Sequence, residues 1–269
     1  YSSEFNAGYV YPAFGLDYQK EPTAYNLEKL NALASPQAVE ESKQYWIQML
    51  ENWKAKTGKE KPRMMLVAVS GGGQRAALWT TTAMQHADSV LNGQLMQETF
   101  LITGASGGLV GAAFYRDLYW KDAKPNSRTH LTQVSNEILN PLIFTLLVND
   151  LFFKVNSFDY AGQRYKRERG FVFEESLKDN MNGMLDRPIS AYREPEFKGD
   201  IPKLLVIPLI TNDGRKLYIS PHPVGLFNER DEANSLVQGV DLRDLLKGHQ
   251  PDSLRFLTAL RMSATFPYV

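Results

Sequence analysis

The sequence predicts an α/β protein with three layers, a mainly parallel central sheet flanked by helices. Two short apolar runs, residues 64–69 and 99–103, are each followed by a glycine-rich turn and a helical pattern. This strand–turn–helix order is typical of parallel sheets, whose functional sites lie at the carboxyl ends of the strands. A third apolar run, residues 203–210, adds a strand. The Asn-Asp-Gly turn at 212–214 predicts a hairpin with residues 216–220.

Helical periodicity fills the intervals between the predicted strands. Helices are expected over residues 74–91, 108–120, 131–148, 171–181 and 252–264. Before the first strand, residues 1–25 predict an irregular arm. Residues 35–54 predict an amphipathic helix whose aromatic stripe we expect to pack on the main domain. We therefore divide the chain into an N-terminal extension, residues 1–62, and one α/β domain, residues 63–269.

The composition excludes several functional classes. Lys plus Arg and Asp plus Glu both number 30, so no net charge points to a nucleic-acid partner. The absence of cysteine excludes disulfides, thiolate metal sites and cysteine nucleophiles. The most apolar run, residues 142–153, is interrupted by polar side chains and is too short to span a bilayer. Because the chain starts with Tyr1 and not Met, we expect a processed piece whose targeting signal has been removed, so its compartment stays open.

The second glycine-rich turn contains a candidate nucleophile. Residues 104–108 read Gly-Ala-Ser-Gly-Gly and match the Gly-x-Ser-x-Gly pattern between a predicted strand and a predicted helix. In such a turn the serine backbone is strained, and side chains two residues to either side, at Gly104 and Gly108, would collide; Gly107 belongs to the same predicted turn. The helix that follows directs its positive end toward developing negative charge. The pattern predicts Ser106 as a nucleophile, and a purely structural glycine turn is the alternative.

The first glycine-rich turn supplies a candidate oxyanion hole. Gly71, Gly72 and Gly73 open a predicted helix and expose backbone N–H groups without side-chain obstruction. A rival interpretation is a variant dinucleotide-binding fingerprint, because Ala76 follows the glycines at the required spacing. That motif needs an acidic residue at the end of the second strand, where this sequence has Ser106 and its flanking glycines.

Together these two turns resemble those of the patatin-like phospholipase family and its cytosolic phospholipase relatives. The resemblance rests on residues 70–75, Ser-Gly-Gly-Gly-Gln-Arg, and on residues 104–108. Residues 204–214 and 260–267 are similar to later family segments in the same order. The resemblance covers about residues 63–269. Patatins often have Asp before the three glycines, so Ser70 is closer to the cytosolic phospholipase form.

The resemblance implies a patatin-like fold and a lipid acyl hydrolase with a Ser–Asp dyad. Ser106 matches the family's nucleophile, and the Gly71–Gly73 loop matches its oxyanion hole. Arg75 matches the arginine after the glycines and would either steady the loop or meet a phosphate. The family's catalytic Asp follows shortly after a Ser-Ala-x-x-Pro stretch, which here is residues 263–267, two residues before the chain stops. We therefore expect the Asp on a C-terminal segment beyond residue 269 or on a second polypeptide.

Other candidate bases lie within the sequence itself. Asp213 belongs to the only Asp-Gly pair, but it falls in the predicted hairpin turn and too early in the family order. A Ser–His–Asp triad would need one of the four histidines, of which His222 and His249 have the required chain order. His86 and His130 lie in or at the start of predicted helices, away from Ser106 in sequence order.

The sequence therefore favours a serine ester hydrolase that acts on a lipid or phospholipid, with neither cofactor nor metal. Residues 142–153 and the N-terminal aromatic helix are candidates for admitting acyl chains or for peripheral contact with a membrane surface, and core packing is the alternative. The basic run 160–169 is either a solvated face or a contact for anionic headgroups. Two further hypotheses stay open: an inactive lipid-binding member of the family, and a nucleotide-binding α/β protein.

Overall fold

A computed structural model describes residues 12–121, 127–136, 157–228 and 237–264. In chain order its helices are α1 (Leu27–Leu33), α2 (Pro36–Thr57), α3 (Gly73–Val90), α4 (Leu95–Glu98), α5 (Ser106–Trp120), α6 (Arg128–Ser135), α7 (Arg169–Asn180), α8 (Arg193–Phe197), α9 (Leu242–Leu245) and α10 (Phe256–Ala264). Its strands are β1 (Met65–Val69), β2 (Thr99–Gly104), β3 (Ser157–Tyr160), β4 (Gln163–Lys166), β5 (Lys203–Val206), β6 (Lys216–Tyr218) and β7 (Gly239–Asp241). Short 3-10 helices cover Ile189–Tyr192, Gly225–Phe227 and Pro251–Ser253.

The predicted α/β class is confirmed by a parallel sheet with helices on both faces. The strands run in the order β1-β2-β5, and both pairings are parallel. On one face, Ile102 of β2 and Leu204 of β5 pack in the main core with apolar side chains of α3, α5 and α10. On the other face, Trp46 and Trp53 of α2 pack on Phe100, which confirms that the aromatic stripe covers the main domain.

The N-terminal segment is more deeply embedded than an irregular surface arm. Phe14 is fully buried, with its ring centroid 4.9 Å from that of Phe158 and 5.3 Å from that of Tyr165. A side chain on Gly15, which has φ +103°, would overlap the carbonyl oxygen of Ser253. Residues on both sides of the predicted boundary at 62/63 thus share apolar contacts, and the boundary itself stays a prediction.

The third predicted strand is shorter than the sequence suggested. Regular pairing with β2 ends at Val206, and beyond it there are only isolated antiparallel bridges from Val206 to Ile219 and from Leu209 to Lys216. Pro208 has no N–H to donate to a continued ladder. The chain therefore turns back at 211–213, one residue before the predicted 212–214, and β6 forms its regular ladder in parallel with β7.

Other predicted bounds change at the helix ends. The helix predicted over 252–264 begins at Phe256, because the backbone before it bonds to other segments: the Arg255 N–H donates to the Phe14 carbonyl. The helix predicted over 131–148 is observed as α6, and residues 137–156, which include most of the apolar run 142–153, lie outside the described residues. The basic run 160–169 forms part of the β3–β4 hairpin.

Charged side chains are buried beneath the sheet around Glu196. Its carboxylate accepts hydrogen bonds from Arg116 at 2.6 Å and from the His222 Nε2 at 3.1 Å. The side chain of Lys203, on β5, is 1% exposed, and its Nζ lies 4.4 Å from the Phe100 ring centroid. Within the described part of the chain, this Nζ has no hydrogen-bond partner. Burial lowers the pKa of Lys203 to about 8.

We predict that Lys203→Met stabilises the fold at pH 7. A lysine whose pKa is about 8 when folded and about 10.4 when unfolded makes folding less favourable below pH 8, by roughly 3 kcal/mol. This penalty fades as the pH rises from 8 to 10.4, so the stability difference between variant and wild type should shrink over that range. Urea unfolding at several pH values measures it. The exposed Lys198→Met is the control and should change stability by less than about 0.5 kcal/mol. A difference independent of pH would contradict the prediction.

Helices α3 and α5 approach each other closely where Gly111 faces Ala77. A methyl group on Gly111 would overlap the carbonyl oxygen of Ala77. Glycine is normally unfavourable inside a helix, by about 1 kcal/mol relative to alanine. Its presence in the middle of α5 therefore follows from the helix contact.

We predict that Gly111→Ala destabilises the protein by about 1–3 kcal/mol, the usual range for overpacking, despite the higher helix propensity of alanine. Chemical denaturation measures the change. Gly248→Ala is the matched control, since an added methyl group meets nothing within 4 Å at that position. Equal stabilities for the two variants would show that α3 can move away from α5.

Candidate active site

The two glycine-rich turns lie side by side at one edge of the sheet. Strands β1 and β2 are parallel neighbours, with Val69 opposite Gly104 at their carboxyl ends. The Ala105 N–H donates a hydrogen bond of 3.1 Å to the Val69 carbonyl and continues the pairing past the strand end. The turns that carry the candidate nucleophile and the candidate oxyanion hole therefore start from adjacent positions.

Glycines allow the backbones of the two turns to touch. A side chain at Gly107 would overlap the carbonyl oxygen of Gly73, and one at Gly108 would overlap that of Ser70. Gly104 has φ +152°, and a side chain there would overlap the backbone of Val69. All three glycines of the predicted nucleophile turn are thus required by close approach to the end of β1 or to the loop that follows it.

Ser106 is the first residue of α5 and has an unusual backbone conformation. Its φ is +51°, in the left-handed region, which costs a non-glycine residue about 1–2 kcal/mol. Its side chain is half-buried, and its Cβ lies 3.2 Å from where a methyl group on Gly71 would be. Strained backbone at a half-exposed serine is typical of functional turns.

The Gly71–Gly73 loop presents unobstructed backbone to solvent beside Ser106. All three residues are exposed, with φ +139° at Gly72 and +62° at Gly73, where α3 begins. N–H groups in the first turn of a helix have no partner within the helix and carry partial positive charge. This loop can therefore donate hydrogen bonds to a negatively charged oxygen on the carbon that becomes bonded to the Ser106 oxygen.

Arg75 lies in the first turn of α3, directly after this loop. Its side chain is exposed and, within the described ranges, makes no hydrogen bond or ion pair. The proposed role of steadying the loop has no contact to support it there. A solvent-facing guanidinium beside the two turns is compatible with contact to an anionic group of a substrate.

None of the histidines is positioned as a base for Ser106. His222 is fully buried, and both its ring nitrogens are engaged, with the Tyr45 hydroxyl at 3.2 Å and with Glu196. His249 Nδ1 lies 2.8 Å from the Asp17 carbonyl oxygen, and His130 Nδ1 lies 2.9 Å from Gln133 Oε1. The side chain of His86 is exposed on α3.

The carboxylate of Asp213 holds the turn in which it lies. It accepts a 2.9 Å hydrogen bond from the Tyr25 hydroxyl and is paired with Arg215. The Gly214 N–H bonds to the Ile210 carbonyl at 2.8 Å and closes the turn. Among the described residues, no carboxylate hydrogen-bonds to the Ser106 hydroxyl, and no cluster of three His, Asp or Glu side chains could hold a metal.

An apolar groove of about 430 Å³ borders the first loop between β1 and α3. Its lining includes Ser70 and Gly71 at one end and Val67, Trp79 and Met84 along its length. Trp79 is 75% exposed, an unusual state for the largest apolar side chain. In the described part of the chain, no helix combines the length and apolar character needed to cross a bilayer.

Comparison with known proteins gives a distant structural likeness. No family model matches the sequence, and no curated protein does. Similar solved structures include human GIVD cytosolic phospholipase A2 in complex with methyl gamma-linolenyl fluorophosphonate, at 16% identity and a TM-score of 0.42 over 80% of this chain. A second complex of that enzyme, with terbium chloride added, has 16% identity and a TM-score of 0.39 over 83% of this chain. The matches cover 34% and 38% of those chains, so this chain spans about a third of their length.

The strain at Ser106 predicts that glycine is more stabilising than alanine at this position, the reverse of the usual order in a helix. Because glycine adopts φ +51° without cost, Ser106→Gly should be more stable than Ser106→Ala by about 1 kcal/mol. At Ser176, in the middle of α7, the order should reverse by a similar amount, since glycine weakens an ordinary helix. Thermal and urea unfolding of the four variants measures both pairs. The same order at both positions would show that the turn is not strained.

Proposed function

We propose that this chain carries the nucleophile and oxyanion hole of a lipid acyl hydrolase. The observation that supports it most is the placement of a strained, half-exposed Ser106 against the bare backbone of Gly71. A reactive serine needs donors aimed at the oxygen on which charge develops, and the two turns bring such groups together. The groove bordered by Trp79 offers apolar surface next to the reacting centre, which supports an acyl chain as the occupant.

In the proposed reaction, the Ser106 oxygen forms a bond to the carbonyl carbon of an ester while a carboxylate base takes its proton. The negative charge of the tetrahedral intermediate lies on the former carbonyl oxygen, which accepts hydrogen bonds from the amides of the Gly71–Gly73 loop. The alcohol then leaves with the proton. Water attacks the acyl-enzyme in the same way, which releases the fatty acid and restores the Ser106 hydroxyl. No metal or organic cofactor takes part in these steps.

The proposed base is an aspartate supplied by a segment beyond residue 269 or by a second polypeptide. In the described residues, Ser106 has neither a histidine nor a carboxylate partner, and Asp213 is engaged in its turn. A serine without its base loses most of its rate, so we propose that full activity requires this additional segment. Phospholipid esters and a membrane surface as partners are part of the same proposal.

We predict that an alkyl fluorophosphonate labels Ser106 in the full-length protein. Labelling and hydrolysis of long-chain esters should be lost in Ser106→Ala, because both need the same hydroxyl. The exposed Ser89→Ala on α3 should leave both unchanged. Mass spectrometry of the labelled peptide and release of fatty acid are the two measurements. Long-chain esters should be hydrolysed faster than acetate esters if the groove receives the acyl chain.

Two alternative functions give different results in the same experiment. A full-length protein that binds lipid vesicles but neither labels nor hydrolyses esters would be an inactive lipid-binding protein. Thermal stabilisation by a nucleotide, without labelling, would support a nucleotide-binding protein. The sequence feature against the nucleotide is the end of β2 at Gly104, where an acidic residue would be required.

A further inference from the structure

The amide of Ser106 is held by a residue from the last described helix. N–H groups at a helix start are usually satisfied by a Ser, Thr, Asp or Asn side chain at the residue before the helix. In α5 that residue is Ala105, whose methyl group cannot accept a hydrogen bond. The Ser106 N–H donates a long hydrogen bond of 3.4 Å to the Oγ of Ser263, on α10. A capping side chain at Ala105 would reach the second or third N–H of α5, so Ser263 supplies from a distant helix an acceptor for the first N–H, which no local cap would satisfy.

Helix α10 is fixed firmly enough to serve this purpose. The buried carboxylate of Glu174, on α7, accepts hydrogen bonds from Thr258 at 2.7 Å and from Arg261 at 2.8 Å. Arg255, just before α10, bonds to Asp186 at 2.7 Å. Hydrogen bonds to charged groups are stronger than those between neutral groups, and they fix the relative orientation of the two partners. The position of Ser263 is therefore set by contacts independent of the nucleophile turn.

We propose that Ser263 is a positioning residue for the reaction at Ser106, an inference that rests on the proposed function. By accepting the Ser106 N–H, it holds this residue in the left-handed conformation that turns its side chain toward the Gly71 loop. The bond occupies the Ser106 amide only. Small displacements of a nucleophile strongly lower the rate of its reaction, so a bond that fixes the position of Ser106 should affect that rate.

The test separates reactivity from probe binding. With a fluorophosphonate probe, Ser263→Ala should lower the maximal rate of labelling of Ser106 about three- to tenfold, the effect of one hydrogen bond. The concentration of probe at half-maximal rate should stay the same, because Ser263 is not placed in the acyl groove. Ser263→Thr keeps a hydroxyl and should restore the rate to within about twofold. An unchanged rate in Ser263→Ala, or a loss that Ser263→Thr does not restore, overturns the proposal.

A second measurement does not depend on catalysis. In Ser263→Ala, the backbone amide of Ser106 should exchange with solvent deuterium about tenfold faster, since its acceptor is gone. The matched control Ser89→Ala, on α3, should leave that amide unchanged. Equal exchange in Ser263→Ala and wild type overturns the proposal even if activity falls. Should the wild-type protein not label while exchange at Ser106 still accelerates in Ser263→Ala, the hydrolase proposal fails and the hydrogen bond stands.

Discussion

The contact between two glycine backbones determines the rest of this structure. The start of α5 lies directly on the loop after β1, with Gly107 against Gly73 and Gly108 against Ser70. Further along, the same closeness continues where Gly111 meets Ala77. No side chain fits between these segments, so α3 and α5 are fixed in relation to each other by main-chain atoms. Close main-chain packing of this kind leaves little room for the two segments to shift relative to each other beside Ser106.

Such an arrangement explains why the candidate site needs so few side chains. The positive ends of α3 and α5 lie near one another, since Gly107 at the start of α5 approaches Gly73 at the start of α3. Among the described residues, the polar side chains at this point are few and include the hydroxyls of Ser106 and Ser263 and the guanidinium of Arg75. In the proposed reaction the other participating groups are backbone amides, so the glycines that expose them would matter more than the identity of their neighbours.

Much of this site was readable from the sequence, because its signals are local. The strands β1 and β2, the helices that follow them and the two glycine turns each have a short, characteristic pattern around Ser106. Features that depend on distant segments were not readable. The β3–β4 hairpin turns at Ala161, with φ +50°, and alanine is not a usual turn residue. Phe14 lies in a stretch rich in Gly and Pro, and only its aromatic neighbours in the fold show that it is buried. Likewise, nothing next to Ser263 in the sequence indicates that it bonds to an amide 157 positions earlier.

The exposure of Trp79 gives the molecule an intrinsic optical reporter. Of the four tryptophans, Trp46 and Trp53 are buried and Trp120 is partly buried, so Trp79 alone is largely in water. Its indole borders the groove, and any apolar guest there would displace water from that ring and shift its emission to shorter wavelength. Dissolved quenchers such as iodide would reach it less easily for the same reason. The protein can therefore report occupancy of its own groove by fluorescence, without an attached dye.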